Sequence, residues 1–276
     1  HFCWQPLHET PAPEHPPAAG RPTVFGSFNN FTKLSDDVLA AWAEILRRVP
    51  ESRLFLKTEV FSYADASAEA MHRLAEAGIP CARVDTEGAS RDYLAAYNHV
   101  DIALDPFPYP GGGTTCDALY MGVPVVTLAG ESLGSRFGAS LAENIGAGAL
   151  VARTIEEYVD RAVSLANDPA LLDALHTGLR QMMERSPVMD AAAYGAAAGA
   201  AYDAVWTAYT EHCDPLKSLS VRDDSMSMDV KTLKDRIFAA LAAEHYAEAQ
   251  ECAERAFAAG VQDDMLRYLH AYAVER

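Results

Sequence analysis

From Arg21 onward, short apolar runs alternate with segments in which apolar residues recur every three or four positions. The first pattern predicts buried strands and the second predicts amphipathic helices. Strands are expected at Thr23 to Phe28, Arg53 to Thr58, Cys81 to Val84, Asp101 to Leu104, Val123 to Leu128 and Ala149 to Ala152, with helices at 36–48, 65–77, 90–98, 115–121, 135–145 and 155–167. The run PVVTL, Pro124 to Leu128, does not alternate in polarity, which suits a strand covered on both faces. Regular alternation of the two element types, with right-handed crossovers, implies an α/β fold built on a doubly wound, Rossmann-like parallel sheet.

After Asp168-Pro169 the pattern becomes helical, through LLDALHTGLRQMMER to a break at Pro187 and then an Ala-rich stretch. That stretch carries Tyr194, Tyr202, Trp206 and Tyr209, spaced by 8, 4 and 3 residues, which predicts a long helix with most rings near one face. Packing against a core or a second lobe explains such a stripe better than a cofactor role does. Residues 214–229 are polar and serine-rich, as in a linker or loop, and residues 230–276 are expected to hold two or three helices. Their small-large pattern, as in EHYAEAQECAERAFAAG, resembles one tetratricopeptide-type hairpin. Residues 1–20 are Pro-rich and connector-like, and the start at His1 instead of Met gives the expectation that more chain precedes them.

The composition narrows the function classes. With 276 residues and 50% hydrophobic content the chain has ample core without disulfides or metals. The five cysteines lie far apart with no CxxC pair, which argues against zinc and iron–sulfur clusters and fits a reducing compartment. Lys and Arg number 22 against 39 Asp and Glu, a formal charge of −17. That disfavours nucleic acid or an anionic membrane as a bulk partner, yet leaves room for one local anion site. No apolar run of about 18 residues and no basic-then-apolar leader is present, so the expected location is the cytoplasm.

The sharpest chemical signal is LDPFPYPGGGTTCDALYMGVPVVTL, Leu104 to Leu128. A strand opens into a Pro-rich loop, three glycines clear side chains from the backbone, and Thr114-Thr115 precede a helix whose first turn is expected to hold Asp117. Free N–H groups at a positive helix end, with two hydroxyls beside them, form a receptacle for phosphate or diphosphate. The plainer alternative makes Gly111, Gly112 and Gly113 a tight turn, Thr114 a helix cap and Asp117 a carboxylate facing the helix charge. The string matches neither GxGxxG nor GxxxxGK[ST], which weakens dinucleotide and Walker-type readings.

A second signal is VFGSFNNFTKL, where a strand gives way to a polar turn holding Asn29, Asn30, Thr32 and Lys33 before a helix capped by Ser35. At the carboxyl end of a parallel strand, Lys33 is placed to offset charge on a leaving phosphate, or else is an ordinary solvent lysine. Lys57 at the end of the second strand has a similar but weaker claim. In GESLGSRFGASL, Arg136 either approaches a ligand or sits in a surface loop. No HExxH or other metal signature occurs among the histidines.

Taken together, FGSFNNFTKL, DIALDPFPYPGGGTTCDALYMGVPVVTLAGESLGSR and the later ERSPV resemble the distal catalytic lobe of the O-linked N-acetylglucosamine transferase and SPINDLY-like protein glycosyltransferases, over residues 1–213. The resemblance implies a GT-B architecture in which this segment is the nucleotide-sugar-binding C-terminal lobe and the N-terminal lobe lies elsewhere, in cis or in trans. Residues 1–20 then become an interlobe connector. It implies that Lys33 lies near the donor diphosphate, that Asn30 takes a position often held by Gln, that Gly113, Thr114 and Thr115 form the phosphate-binding segment, and that Asp117 binds ribose. Where relatives carry a donor-site histidine, this chain has Ser90, Arg91, Asp92 and Tyr93. Tyr93 is a further candidate from that stretch, beside Lys57 and Arg136. The implied chemistry is inverting transfer of N-acetylglucosamine from UDP-N-acetylglucosamine to Ser or Thr of a protein or peptide acceptor, with no cofactor and no essential metal. GDP-fucose is the alternative donor, and nucleotide-sugar binding without turnover is the alternative class. No residue is identified as the general base.

Overall fold

A computed structural model describes residues 3–6, 10–212, 236–237, 239–240 and 245–258. The chain divides into two units, His1–Ala197 and Ala198–Arg276. In the first, six parallel strands, β1 (Val24–Ser27), β2 (Arg53–Lys57), β3 (Val84–Glu87), β4 (Ile102–Leu104), β5 (Val125–Leu128) and β6 (Val151–Ala152), run in the order β3-β2-β1-β4-β5-β6. The chain builds outward from β1 to β3, then returns to pair β4 with β1. The order therefore reverses between β1 and β4, where the loops leaving the two strands diverge and open a crevice. Phe25, Leu54, Leu56, Ile102 and Val126 are all buried, as strands covered on both faces require.

The helices begin where their polar residues dictate. Helix α1 (Asp36–Arg48) is capped by Ser35, whose Oγ accepts from Val38 N–H, with Asp36 and Asp37 in its first turn and Arg47 and Arg48 in its last. Its inner face, Val38, Leu39, Trp42, Ile45 and Leu46, is buried. Each such side chain contributes about 1.5–3 kcal/mol of burial free energy, so the stripe, not the caps, holds the helix in place. Helix α2 (Ala64–Glu76) follows β2, α3 (Gly113–Tyr120) follows β4, and α4 (Phe137–Asn144) follows β5. Helices α5 (Ile155–Ala166) and α6 (Pro169–Glu184) complete the layers, capped by Thr154 and Asp168. Trp42 Nε1 donates to the Tyr158 hydroxyl at 3.0 Å, which joins α1 to α5 in the core.

Several boundaries differ from the sequence expectation. The third strand lies at Val84–Glu87, after a 3₁₀ turn at Cys81–Arg83, instead of at Cys81 to Val84. It is an edge strand with one neighbour and a half-exposed face, so its polar residues concealed it. The expected helix at 90–98 is a 3₁₀ helix, Tyr93–His99, and a 3₁₀ turn at Gly134–Arg136 precedes α4. Only Val151 and Ala152 of the sixth expected strand pair with β5. Helix α3 starts at Gly113, so Asp117 lies beyond its first turn and neither threonine is its cap.

At the amino edge of the sheet, residues 10–20 are strapped to the unit. A Pro-rich segment offers carbonyls but few N–H groups. Arg180 donates to Pro11 O, and Arg21 donates to Pro16 O and Pro17 O while pairing with the buried Asp101. His15 stacks on His176 with ring centroids 4.2 Å apart. Their Nε2 atoms contact Met121 O and Asp101 O at 2.8 and 2.9 Å.

Helix α7 (Ala191–His212) is the predicted long helix, but Tyr194, Tyr202, Trp206 and Tyr209 are exposed instead of buried, Trp206 by 66%. Trp206 and Tyr209 stack on each other with ring centroids 5.8 Å apart. In the second unit, α8 (Tyr246–Ala258) is helical, with Ala249 and Ala253 buried. The expected loop at 214–229, and the rest of the expected helical repeat apart from the few residues named above, lie outside the described residues.

Candidate functional site

The crevice at the reversal point is built from two loops. After β1, the chain runs through Asn29 and Asn30 into a 3₁₀ turn at Phe31–Lys33. After β4, it runs from Asp105 through Pro106, Pro108 and Pro110 to the glycines that start α3. Separated by more than 80 positions in sequence, Lys33 and Thr114 meet at one atom. Lys33 Nζ donates to Asn29 Oδ1 at 3.0 Å, and Thr114 Oγ1 donates to the same oxygen at 3.2 Å. Lys33 also donates to Pro110 O at 3.3 Å and lies 4.6 Å from the centroid of Tyr109, a ring 56% exposed. Among the described residues Lys33 forms no ion pair with a carboxylate. Burial lowers its pKa, and nearby Asp105 opposes that shift.

Helix α3 meets this point with its amino terminus. Its N-cap is Gly112, and no side chain caps its first turn. The first N–H groups of the helix are therefore left for a ligand or solvent. A Cβ on Gly111 would lie 2.3 Å from Thr115 Oγ1 and 2.6 Å from Thr114 Oγ1, so a side chain there would push both hydroxyls out of place. At Gly113 a Cβ would meet nothing within 4 Å, so its absence leaves the mouth of the crevice open without being forced by packing.

The two threonines have different surroundings. Thr114 is half-buried at the crevice, whereas Thr115 is buried and donates to Asp105 Oδ1 at 3.0 Å, below it. Asp117, on the second turn of α3, is buried and accepts from the Tyr93 hydroxyl at 3.1 Å. Burial raises its pKa to about 6, against the hydrogen bond from Tyr93. Tyr93 is itself pushed up to about 12, first by burial and then by the Asp117 charge. Tyr97 fixes the same helix end by donating to Thr114 O at 3.1 Å.

Other predicted residues are placed elsewhere. Asn30 is exposed, and its Oδ1 accepts from Thr32 N–H and Thr32 Oγ1, closing its own turn. Lys57 is buried at the end of β2, where Nζ donates to Glu87 Oε1 at 2.5 Å, Gly88 O at 2.8 Å and Ser90 Oγ at 2.8 Å. Its donors are saturated by the β3 side of the sheet. Arg136 is exposed at the end of the 3₁₀ turn before α4 and forms no ion pair among the described residues. Asn29, which the sequence reading did not single out from its polar turn, is the residue that links Lys33 to Thr114.

This geometry has counterparts. The sequence profile of glycosyl transferase family 41 matches residues 18–198. The chain belongs to glycosyl transferase family 41. A Hordeum vulgare protein named "Probable UDP-N-acetylglucosamine–peptide N-acetylglucosaminyltransferase SPINDLY" is 39% identical over 231 residues, covering 80% of this chain and 24% of that protein. An Oryza sativa protein of the same name is 40% identical over 214 residues, covering 74% of this chain and 23% of that protein. A solved structure of a Thermobaculum terrenum O-GlcNAc transferase mutant superposes with a TM-score of 0.65 at 37% identity, over 71% of this chain and 39% of that one. The sheet and its helices thus have the Rossmann-like architecture of a GT-B glycosyltransferase lobe, as the motifs implied. This family 41 chain spans about a quarter of the length of those curated relatives. Among its described residues no helix is long and apolar enough to cross a membrane.

Proposed function

We propose that this family 41 unit binds the nucleotide-sugar donor of a protein O-glycosyltransferase and stabilises the diphosphate as it leaves. The observation that carries this reading is the convergence of Lys33 Nζ and Thr114 Oγ1 on Asn29 Oδ1, in front of the uncapped start of α3. A cation, a hydroxyl and open backbone N–H groups suit an anion, and among the described residues none of the three is neutralised by a carboxylate contact. In transfer, the Ser or Thr hydroxyl of the acceptor gives up its proton to a general base, for which no residue of this unit is assigned, and its oxygen forms a bond to the anomeric carbon. The bond from that carbon to the diphosphate breaks, and the diphosphate keeps the electron pair. Lys33 and the helix end are pre-aimed at that developing charge, which is where electrostatic preorganisation lowers a barrier most.

Asp117, buried beside Tyr93, suits the ribose hydroxyls as acceptor. Thr114 is the better phosphate contact of the two threonines, since Thr115 is engaged below. The names of the relatives support UDP-N-acetylglucosamine as donor and a peptide or protein as acceptor. Residues of a second lobe would complete the acceptor side.

Calorimetric titration with UDP and with GDP tests the reading. Binding of UDP, weakened in Lys33→Ala and Thr114→Ala, is the expected result, and preference for GDP would reassign the donor base. A folded chain that binds neither nucleotide contradicts the proposal.

A further inference from the structure

At the floor of the crevice lies a carboxylate with no part in the reading above. Asp105 follows β4 and is 2% exposed. Its Oδ1 accepts from Gly111 N–H at 3.3 Å and from Thr115 Oγ1 at 3.0 Å, and its Oδ2 lies 3.2 Å from the same hydroxyl. Those two donors bracket the segment that forms the start of α3. A Cβ on Gly111 would lie 2.9 Å from Oδ1, and one on Gly138, at the start of α4, would lie 2.6 Å from Oδ2. Two glycines, one in the loop before α3 and one in α4, therefore leave room for this one carboxylate. Its backbone is held as well, since the Tyr158 hydroxyl donates to Asp105 O at 3.0 Å and is itself held by Trp42.

A buried carboxylate costs free energy that a packing residue would not, so its hydrogen bonds and glycine clearances call for a reason. Burial pushes the Asp105 pKa up to about 6, while its hydrogen bonds and Lys33 pull it back. We propose that Asp105 is a positioning residue for donor binding: by holding Gly111 N–H and Thr115 Oγ1 it sets the loop so that Lys33, Thr114 and the open end of α3 face one point. This inference rests on the donor-site reading.

The carboxylate does not touch the ligand, but its charge reaches it. The titratable groups around it are Lys33, Tyr97, Cys116 and Tyr158, with Asp117 further along α3. Burial raises the pKa of Tyr97, Tyr158 and Cys116, so they remain neutral at mildly acidic pH. Between about pH 5 and 7.5 the two carboxylates are the groups that change charge beside an arriving diphosphate.

The test is calorimetric titration of the whole chain with UDP-N-acetylglucosamine across that range, since its diphosphate diester does not titrate there. GDP-fucose replaces it if GDP is the preferred nucleotide. Wild-type affinity should rise as pH falls through about 6, because neutral carboxyls repel the diphosphate less. Asp105→Ala should bind about tenfold more weakly at neutral pH, with two loop donors left unpaired. Asp105→Asn, which keeps the shape and an acceptor, should restore affinity to within about threefold while losing part of the acid-side rise.

If wild type binds neither nucleotide sugar, the donor reading itself fails. If wild type binds and a folded Asp105→Ala binds as tightly, the positioning role is overturned. The same holds if Asp105→Asn keeps the full wild-type pH profile. Should Asp105→Ala not fold, the affinity and pH profile of Asp105→Asn decide alone.

Discussion

The two ends of the parallel sheet satisfy their polar groups in opposite ways. At the amino end, the strap at residues 10–20 is closed down by side chains. Arg21 pairs with buried Asp101, Asp101 also accepts from Val24 N–H at 2.7 Å, and the His15 and His176 rings stack beneath. At the carboxyl end, among the described residues, α3 starts without a side-chain cap and Lys33 has no carboxylate partner, and Asp105 and Asp117 are buried beside them. A network whose charges are paired stabilises the fold, even though Nδ1 of His15 and of His176 is buried there without a hydrogen-bond partner among the described residues, whereas one left open at a helix end invites a ligand. The titration signs are opposite too. Burial lowers the pKa of both histidines and raises that of both aspartates to about 6.

The largest expected effect lies at the amino end. Arg21→Ala leaves Asp101 buried without its cation and should cost about 3 kcal/mol of stability in thermal or urea unfolding, with nucleotide binding to the folded chain unchanged. A loss of binding equal to the loss of stability would erase the distinction between the two ends.

Acid titration follows. The folded pKa of Asp105, about 6, lies above its ordinary 3.8, so the folded state takes the proton first and stability rises as pH falls from above 6 toward 4. For a shift of about two units that gain is at most about 3 kcal/mol. The histidines act in the other direction. Their folded pKa values lie below 6.5, so the stability they contribute is present above 6.5 and is lost as pH falls through the folded values. Asp105→Asn should therefore lose stability more steeply on acidification than wild type, and His176→Gln less steeply. Parallel pH curves for the three proteins would break the comparison.

Lys33→Ala should weaken nucleotide binding by about 2 kcal/mol, roughly thirtyfold, and move the unfolding midpoint little, since this lysine closes no ion pair among the described residues. Calorimetry paired with a thermal melt separates the two outcomes. The smallest effect is expected for Tyr93→Phe, which removes the hydroxyl held by Asp117 and should change affinity by about 1 kcal/mol or less. A much larger change would mean that Tyr93 contacts the nucleotide directly.

The parts of this molecule that depend on local rules were legible in its sequence. The periodicity of DDVLAAWAEILRR and the Ser35 cap place α1 where it is found. The apolar runs mark β1, β2, β4 and β5. The β3 strand was not legible as such, because an edge strand need not be apolar. Nor could the sequence show which of Thr114 and Thr115 faces the crevice. A start of α3 two residues earlier than expected rotates both, and it turns Thr115 down toward Asp105. Lys57 and Lys33 read alike, one ending a strand and the other following one. Only the pairing of β2 with β3 brings Glu87 onto Lys57, and only the reversal between β1 and β4 brings Thr114 near Lys33. The role of Asp105 had one local trace, its place at the end of β4 directly before the loop it organises. The aromatic spacing in α7 predicted a helix but not what covers it, since periodicity reports a shared face and not its partner.

The central claim is that the open polar groups at the carboxyl end hold a nucleotide diphosphate. A crystal structure of the chain with UDP bound tests it most directly. The diphosphate oxygens should lie within about 3 Å of Lys33 Nζ, Thr114 Oγ1 and the first N–H groups of α3, displacing the Asn29 contacts or sharing them. A nucleotide bound anywhere else on the folded chain, with Lys33 and Thr114 still turned onto Asn29, would contradict it.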